Sequence, residues 1–458
     1  PFLNFVRQVY ENFPNTLKEA FAPKPAPVAG QPVKAAPVVR RSKSSFKVVT
    51  ECPLIVMFLF QLYDTHAPQN VKTLLPLMVA AINLRAPPNA KLQALSLFHD
   101  FIAAQVKTLS FLTYLLRGSA EWVRPHKESI PLSVVQLLIS CPHELILVRK
   151  ELLVATRHIL ATDFREGFFR HVDTFLDERT LVGTQRGAGD TLRPLAYSLL
   201  AEVVHHVRLN LSMVQLSKAV HLFSRNVHDT SLPLTVQTTS IRLLMNLVEG
   251  IYHKHNSDQD NMSKMTNPPG AHPQVPPGGT PAASVTAESG VKGRKLLVRI
   301  LDTFVRKFGT LKEYTLKLCE ARGEDKNLED PQMLLEFMPF RSGSLSDITI
   351  DVTKEVADCR QLIKTLIVAV RTVVWSVSNV KNQTVARGMQ EHECLITAKL
   401  LKHGLKCFGV YSNEDQAGAK DEKEILELFA GVFTVLDERT FRDVFTLNMQ
   451  TLFDHIVN

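Results

Sequence analysis

The sequence carries none of the short signatures that mark the common catalytic chemistries. It has no GxxxxGK[ST] loop, no GxGxxG after a strand, no HExxH, no GxSxG and no HRD or DFG element, which excludes the usual nucleotide, zinc-protease, ester-hydrolase and kinase sites. Its short glycine loop, GTQRGAGD at 183–190, lacks the lysine that would neutralise phosphate and reads as a connection between helices. Long apolar runs are missing too. PLIVMFLF at 53–60 falls far below the roughly 18 residues that span a bilayer, and no segment has the basic, apolar, small-residue order of a signal peptide. A soluble chain without a membrane partner is expected. Cysteines at short paired spacing are also lacking: Cys52, Cys141, Cys319, Cys359, Cys394 and Cys407 are scattered through apolar patterns, which predicts buried thiols in a reducing intracellular compartment.

The most metal-like group is His392, Cys394, His403 and Cys407. His392 lies 11 residues before His403. On one continuous helix that is about 16 Å, and a single zinc holds its ligands about 2.0–2.3 Å away, so these read as ordinary core and surface residues. His253 and His255 are placed at a helix end, where histidine suits the negative terminus, and His205 and His206 sit on a helix with no carboxylate partner close in sequence. Trp122 and Trp375, with Phe168, Phe169 and Phe175, follow helical spacing and are assigned to core packing. No catalytic, cofactor-binding or metal-ligating residue is named, no cofactor or small-molecule substrate is implied, and sequence-specific nucleic-acid contact is not expected. The net charge of +8 bears on that last point, because Lys24, Lys34, Arg40, Arg41 and Lys43 sit in one acid-free stretch and their removal leaves +3 for the remainder.

What is present is amphipathic helix. In HELILVRKELLVATRHIL, Leu145, Val148, Leu152, Ala155 and Ile159 form one apolar stripe opposite Arg149, Lys150 and Arg157, and Leu192, Leu195, Leu199, Val203 and His206 repeat the design. Comparable patterns cover 47–63, 69–84, 89–117, 131–140, 212–226, 232–254, 292–319, 352–378, 387–409, 421–436 and 441–456. Five hydroxyl-then-proline pairs, Thr50/Pro53, Ser129/Pro131, Ser140/Pro142, Thr191/Pro194 and Ser231/Pro233, predict capped helix starts. The organisation expected is a helical start at 1–21, a basic Pro/Ala-rich disordered linker at 22–46, a helical array at 47–255, a disordered Pro/Gly-rich loop at 256–291 and a continuation at 292–458. Because the chain opens and closes close beside such patterns, it reads as a segment of a longer polypeptide. Helices of this length joined by short turns predict an all-α fold, an α-solenoid of stacked HEAT-like hairpins with disordered loops.

One pentapeptide occurs twice, Leu-Asp-Glu-Arg-Thr at 176–180 and 436–440. Val172 matches Val432 and Thr174 matches Thr434, so the shared register reaches back into the preceding helix. The 260-residue offset is about six periods of the 40–47 residues of HEAT repeats, and Thr440 with Asp443 predicts a cap that opens the next helix. The motif is thus a structural corner rather than a reactive group.

Three blocks carry a resemblance: LLVATRHILATDFREGFFRHVDTFLDERTLVG (152–183), TLRPLAYSLLAEVVHHVR (191–208) and SLPLTVQTTSIRLLMNLVEGI (231–251). They resemble the helical-repeat region of the transformation/transcription domain-associated protein family, the pseudokinase branch of the phosphatidylinositol-kinase-related kinases. The resemblance is collinear from about 46 to 252 and looser over 4–21 and 291–458. It implies a non-enzymatic nuclear scaffold within SAGA-type and NuA-type histone acetyltransferase complexes, contacting complex subunits and transcription-factor activation domains. Two alternatives are a helical-repeat nuclear transport receptor and the solenoid of an active kinase of the same superfamily.

Overall fold

The computed structural model describes residues 2–22, 44–63, 67–183, 189–266, 293–311, 314, 352–380, 388–408 and 416–457, and among them there are helices and turns but no strand. The chain folds as two compact units, Pro1–Val203 and Val204–Asn458.

The first unit is built from α1 (Phe2–Ala20), α2 (Ser44–Leu62), α3 (Ala67–Asn83), α4 (Leu95–Gly118), α5 (Ser129–Ser140), α6 (Ile146–Leu160) and most of α7 (Gly189–Val207). These helices pack in two rows: α1, α3 and α5 follow one another in one, and α2, α4 and α6 in the other. Each helix shows the buried three-and-four spacing that such layering requires. On α1 the buried residues are Val6, Tyr10, Phe13 and Leu17. The rings of Phe13, Phe46 and Phe101 meet at 5.8–5.9 Å, joining α1, α2 and α4 at one point. That cluster explains why α2 begins earlier than its hydroxyl-proline pair predicts. With Phe46 and Val49 buried, the helix extends back to Ser44; Thr50 is interior, its hydroxyl donating to Phe46 O, and Pro53 lies inside the helix.

The second unit contains α8 (Met213–His228), α9 (Leu234–Thr266), α10 (293–311), α11 (Val352–Asn379), α12 (Glu391–Phe408), α13 (Gln416–Phe433), α14 (Glu438–Thr446) and α15 (Met449–Val457). Again the packing defines rows, α9 against α11 and α11 against α13 in one, α12 against α14 in the other. α10 joins them through side chains: Lys307 Nζ donates to Gln237 Oε1 on α9 (2.6 Å), and Cys407 Sγ on α12 donates to Phe308 O (3.3 Å). Gly404 allows the closest approach. A Cβ at that position would lie 2.0 Å from Phe429 Cζ, so α12 and α13 can pack at this distance only with glycine there.

Several sequence expectations change here. α9 continues past the 232–254 pattern to Thr266, which places His253 and His255 inside the helix. The 441–456 pattern is two short helices separated at Leu447 and Asn448. Ser140 ends a helix instead of starting one, and Thr191 and Pro194 are interior to α7. The side-chain caps are elsewhere, on Thr162, Asp177, Ser212 with Gln215, and Asp437. Residues 23–43 of the expected linker, 184–188 of the glycine loop and 267–291 of the expected loop lie outside the described residues, as does Cys319, whereas 44–46 of that linker and 256–266 of that loop are helical. The other five cysteines are buried and in no disulfide. By length and composition alone Ala357–Asn379 could cross a bilayer, a feature hidden from a search for uninterrupted apolar runs by its scattered charges; 67 % of its apolar 18-residue window is buried in the fold.

Candidate interaction surface

Polar contacts between successive helices recur at a regular sequence distance. Ser110 and Lys107 meet Glu151 (2.8 and 2.9 Å), Arg117 Nη2 lies 2.8 Å from His158 Nε2, and Arg157 approaches Glu202 (4.0 Å) in the first unit. In the second, Asn246 meets His205 (3.4 Å) and Arg208 meets Glu249 (3.8 Å). The partners are 41–45 residues apart, the spacing of HEAT repeats, so these contacts are rungs between equivalent positions of neighbouring repeats. Burial, then the Arg117 and Arg157 charges, hold His158 below the ordinary imidazole value, so it is neutral and can accept from the guanidinium.

Two buried charged groups fix the ends of helices. Arg149, which periodicity assigns to the polar side of α6, is 1 % exposed. Its guanidinium donates to the carbonyls of Cys141, Thr180 and Leu181, at the ends of α5 and of the single turn Glu178–Leu181, where carbonyls have no helical donor. In the second unit Arg294 holds Glu393 bidentately (2.9 and 2.7 Å) and reaches Gly388 O, while Gln390 N donates to the same carboxylate (2.8 Å). Glu393 is wholly buried, so the pair pins the start of α10 to the start of α12.

A cleft of about 290 Å3 opens in the first unit between the 84–88 turn, α4 and α5. Its floor is Phe98, Phe101, Ile102 and Leu137, and Leu132 stands at its edge, 43 % exposed. Gln105 closes one end by donating to the carbonyls of Ala81, Ile82 and Leu84, which secures the turn leaving α3. The charged lining residues are Arg85 and Lys91. Arg85 Nη1 donates to the neutral Gln136 Oε1 (3.0 Å), and Lys91 lies 3.9 Å from Glu144. Both serine hydroxyls lining the cleft are tied to oxygen acceptors that are not bases, Ser133 to Asn83 Oδ1 and Ser129 O, and Ser140 to Leu137 O (3.4 Å). Burial pushes the thiols of Cys52 and Cys141 up to about 11, leaving both protonated and unreactive at neutral pH. This arrangement can hold a chain.

The residues singled out in the sequence are dispersed. α12 is continuous from Glu391 to Phe408, with His392 exposed and Cys394 and Cys407 buried, and among the described residues no group of three or more His, Cys, Asp or Glu side chains could hold a metal. Phe168 and Phe175 are core, their rings edge to face at 5.5 Å. Trp375 differs from expectation. It is 45 % exposed and rests on Tyr252 of α9 at 5.3 Å. The repeated pentapeptide does sit at corners, and its aspartate is the cap: Asp177 accepts from Arg179 N and Asp437 from Thr440 N, both at 3.0 Å, while Thr440 is already helical. Arg85, Lys91 and Leu132 escaped sequence reading, since only the Pro87-Pro88 turn hints that α3 and α4 part there.

Residues 97–458 match the family described as the Tra1 HEAT repeat central region. The chain is 32 % identical over 455 residues to the probable transcription-associated protein 1 of Dictyostelium discoideum, covering 92 % of this chain and 9 % of that protein. It is 33 % identical over 534 residues to the transformation/transcription domain-associated protein of Danio rerio, covering 99 % and 13 %. Against the SAGA complex/NuA4 acetyltransferase complex subunit Tra1 of Schizosaccharomyces pombe it is 29 % identical over 534 residues, covering 100 % and 14 %. The chain therefore spans a small part of the length of these relatives. With the family pattern matched over most of its length, and with stacked all-α repeats at HEAT spacing, the chain belongs to the Tra1 family, in its HEAT-repeat region.

Proposed function

We propose that the chain is a non-catalytic scaffold segment of a large transcription coactivator subunit, acting in the nucleus within histone acetyltransferase complexes of the SAGA and NuA4 kinds. It offers surfaces to the other subunits of those complexes and to the activation domains of transcription factors. The observation that carries this reading is the similarity, over 100 % and 60 % of this chain, to two relatives named as subunits of SAGA and NuA4 acetyltransferase complexes. The geometry is compatible with it: the helices stack in rows, and the cysteine thiols and the cleft's serine hydroxyls are buried or tied. No residue of this segment is assigned a catalytic role, and the proposal needs none.

Affinity purification of the intact parent protein from nuclear extract tests the reading. Acetyltransferase subunits should co-purify in amounts comparable to the bait. Recovery of nuclear transport factors without them would replace the scaffold reading with a transport receptor.

A further inference from the structure

We infer that the cleft between the 84–88 turn, α4 and α5 is a docking groove for a short, acidic amphipathic helix of a partner protein. The inference rests on the reading of this chain as a protein-binding scaffold and gives one of its contacts a place and a chemistry.

The floor supplies an apolar strip. Phe98 and Ile102 are one turn apart on α4, and Leu95 extends the same face one turn earlier while 46 % exposed. On α5, Leu132 lines the cleft, and Ile139 continues that face two turns on, 57 % exposed. From Leu95 to Ile102 is about 10 Å along the helix, so the strip matches about two turns of a bound helix with apolar residues at i, i+3 or i+4, and i+7. The volume of about 290 Å3 sits at the lower edge of the roughly 300–1,000 Å3 of small-molecule pockets, and it suits two or three inserted side chains better than a cofactor.

Charge selects the partner. Both charged residues lining the cleft are cations, and no carboxylate lines it. Arg85 is exposed, and its guanidinium is held by a neutral amide, with no carboxylate within ion-pair distance among the described residues. Lys91 is also exposed, and its ion-pair partner among the described residues, Glu144, is 3.9 Å away and outside the lining. A fork-shaped donor beside an apolar floor accepts a carboxylate one turn from a buried leucine or phenylalanine. Nucleic acid is the other polyanion to weigh. It needs a row of cations tracking phosphates, whereas this groove has two cations and a mostly aliphatic and phenylalanine floor.

Fluorescence anisotropy with the 458-residue chain decides the matter. The probe is a fluorescein-labelled synthetic peptide of about 15 residues with Leu and Phe at helical spacing and Asp or Glu elsewhere. Arg85→Glu and Leu132→Asp replace exposed side chains, so both variants should keep the wild-type helical circular dichroism and melting curve. Each should weaken peptide binding about tenfold, Arg85→Glu by repulsion and Leu132→Asp by spoiling the apolar edge. The same peptide with Asn and Gln in place of its carboxylates should bind at least as weakly as the acidic peptide binds the variants. Undetectable binding of the acidic peptide to wild type, equal binding of the amide peptide, or affinities unmoved by both variants would each overturn the groove. So would single-stranded oligothymidine that competes the peptide off at equal strength. Recovery of acetyltransferase subunits by the wild-type parent protein separates the two readings: intact recovery with no peptide binding by the wild-type chain removes the groove alone, and failed recovery removes the scaffold.

Discussion

Lys307→Met should stabilise the second unit, and by an amount that shrinks as pH rises. Lys307 is 5 % exposed, and its ammonium has a single hydrogen bond among the described residues, to the neutral Gln237 Oε1. Burial pulls its pKa down from 10.5 to about 8. A shift of about 2.5 units corresponds to about 3 kcal/mol of preference for the neutral form. Below pH 8 the lysine is charged in both folded and unfolded chains, so the folded state carries the whole penalty. Between about 8 and 10.5 the unfolded chain binds the extra proton, and wild-type stability climbs with pH. Above that range the penalty is gone. Methionine keeps the apolar stem without the charge but leaves Gln237 Oε1 without its donor, which costs about 1–3 kcal/mol. The net gain at pH 7 is therefore about 1 kcal/mol, and by pH 10 the variant becomes the less stable protein. Urea unfolding in a Trp122→Phe background follows this, because Trp375 then reports the second unit alone. Parallel pH profiles for the two proteins would refute the account, since they would mean that Lys307 is solvated or neutralised in the fold.

Arg149→Met should cost the first unit about 2–4 kcal/mol, since three carbonyls lose a charged donor, and Arg149→Lys should recover little because one ammonium cannot bridge both helix ends; melting followed by Trp122 fluorescence checks both. Glu393→Gln should cost about 3–5 kcal/mol by leaving Arg294 buried without its counter-charge, while Arg294→Met with Glu393→Leu should lie closer to wild type than either single change, a double-mutant cycle readable by urea titration. Gly404→Ala should destabilise by about 1–3 kcal/mol despite its better helix propensity, because Phe429 is wedged between Phe308 and Phe433 (5.9 and 5.3 Å) and has little room to yield; a calorimetric melt at or above wild type would contradict this.

Much of the fold could be read from apolar spacing. Leu152, Ala155 and Ile159 are buried as their periodicity requires, and so are Leu192, Leu199 and Val203, whereas Leu145, Val148 and Leu195 on the same stripes are half-buried and His206 is exposed. Each helix must bury one stripe, and the stripe is written locally at three-and-four spacing. Helix ends were less legible. Ser, Thr and Pro mark starts only where tertiary contacts do not extend the helix, and burial of Phe46 carried α2 six residues ahead of Thr50. The pentapeptide corners were placed correctly, but the cap was assigned to Thr440 when Asp437, one residue outside the helix, is better positioned to accept from its amide.

By itself, then, the sequence determined that the fold is all-α, that its helices stack in repeats, and to which family it belongs, because periodicity and collinear identity are properties of neighbours along the chain. Only tertiary structure decided that Arg149 is buried, that Trp375 is exposed, that Arg294 meets Glu393 and that Arg85 stands over an apolar cleft without a carboxylate. Those facts depend on which helix lies opposite. A side chain's free energy is set by groups 30 to 100 residues away that its own periodicity does not name.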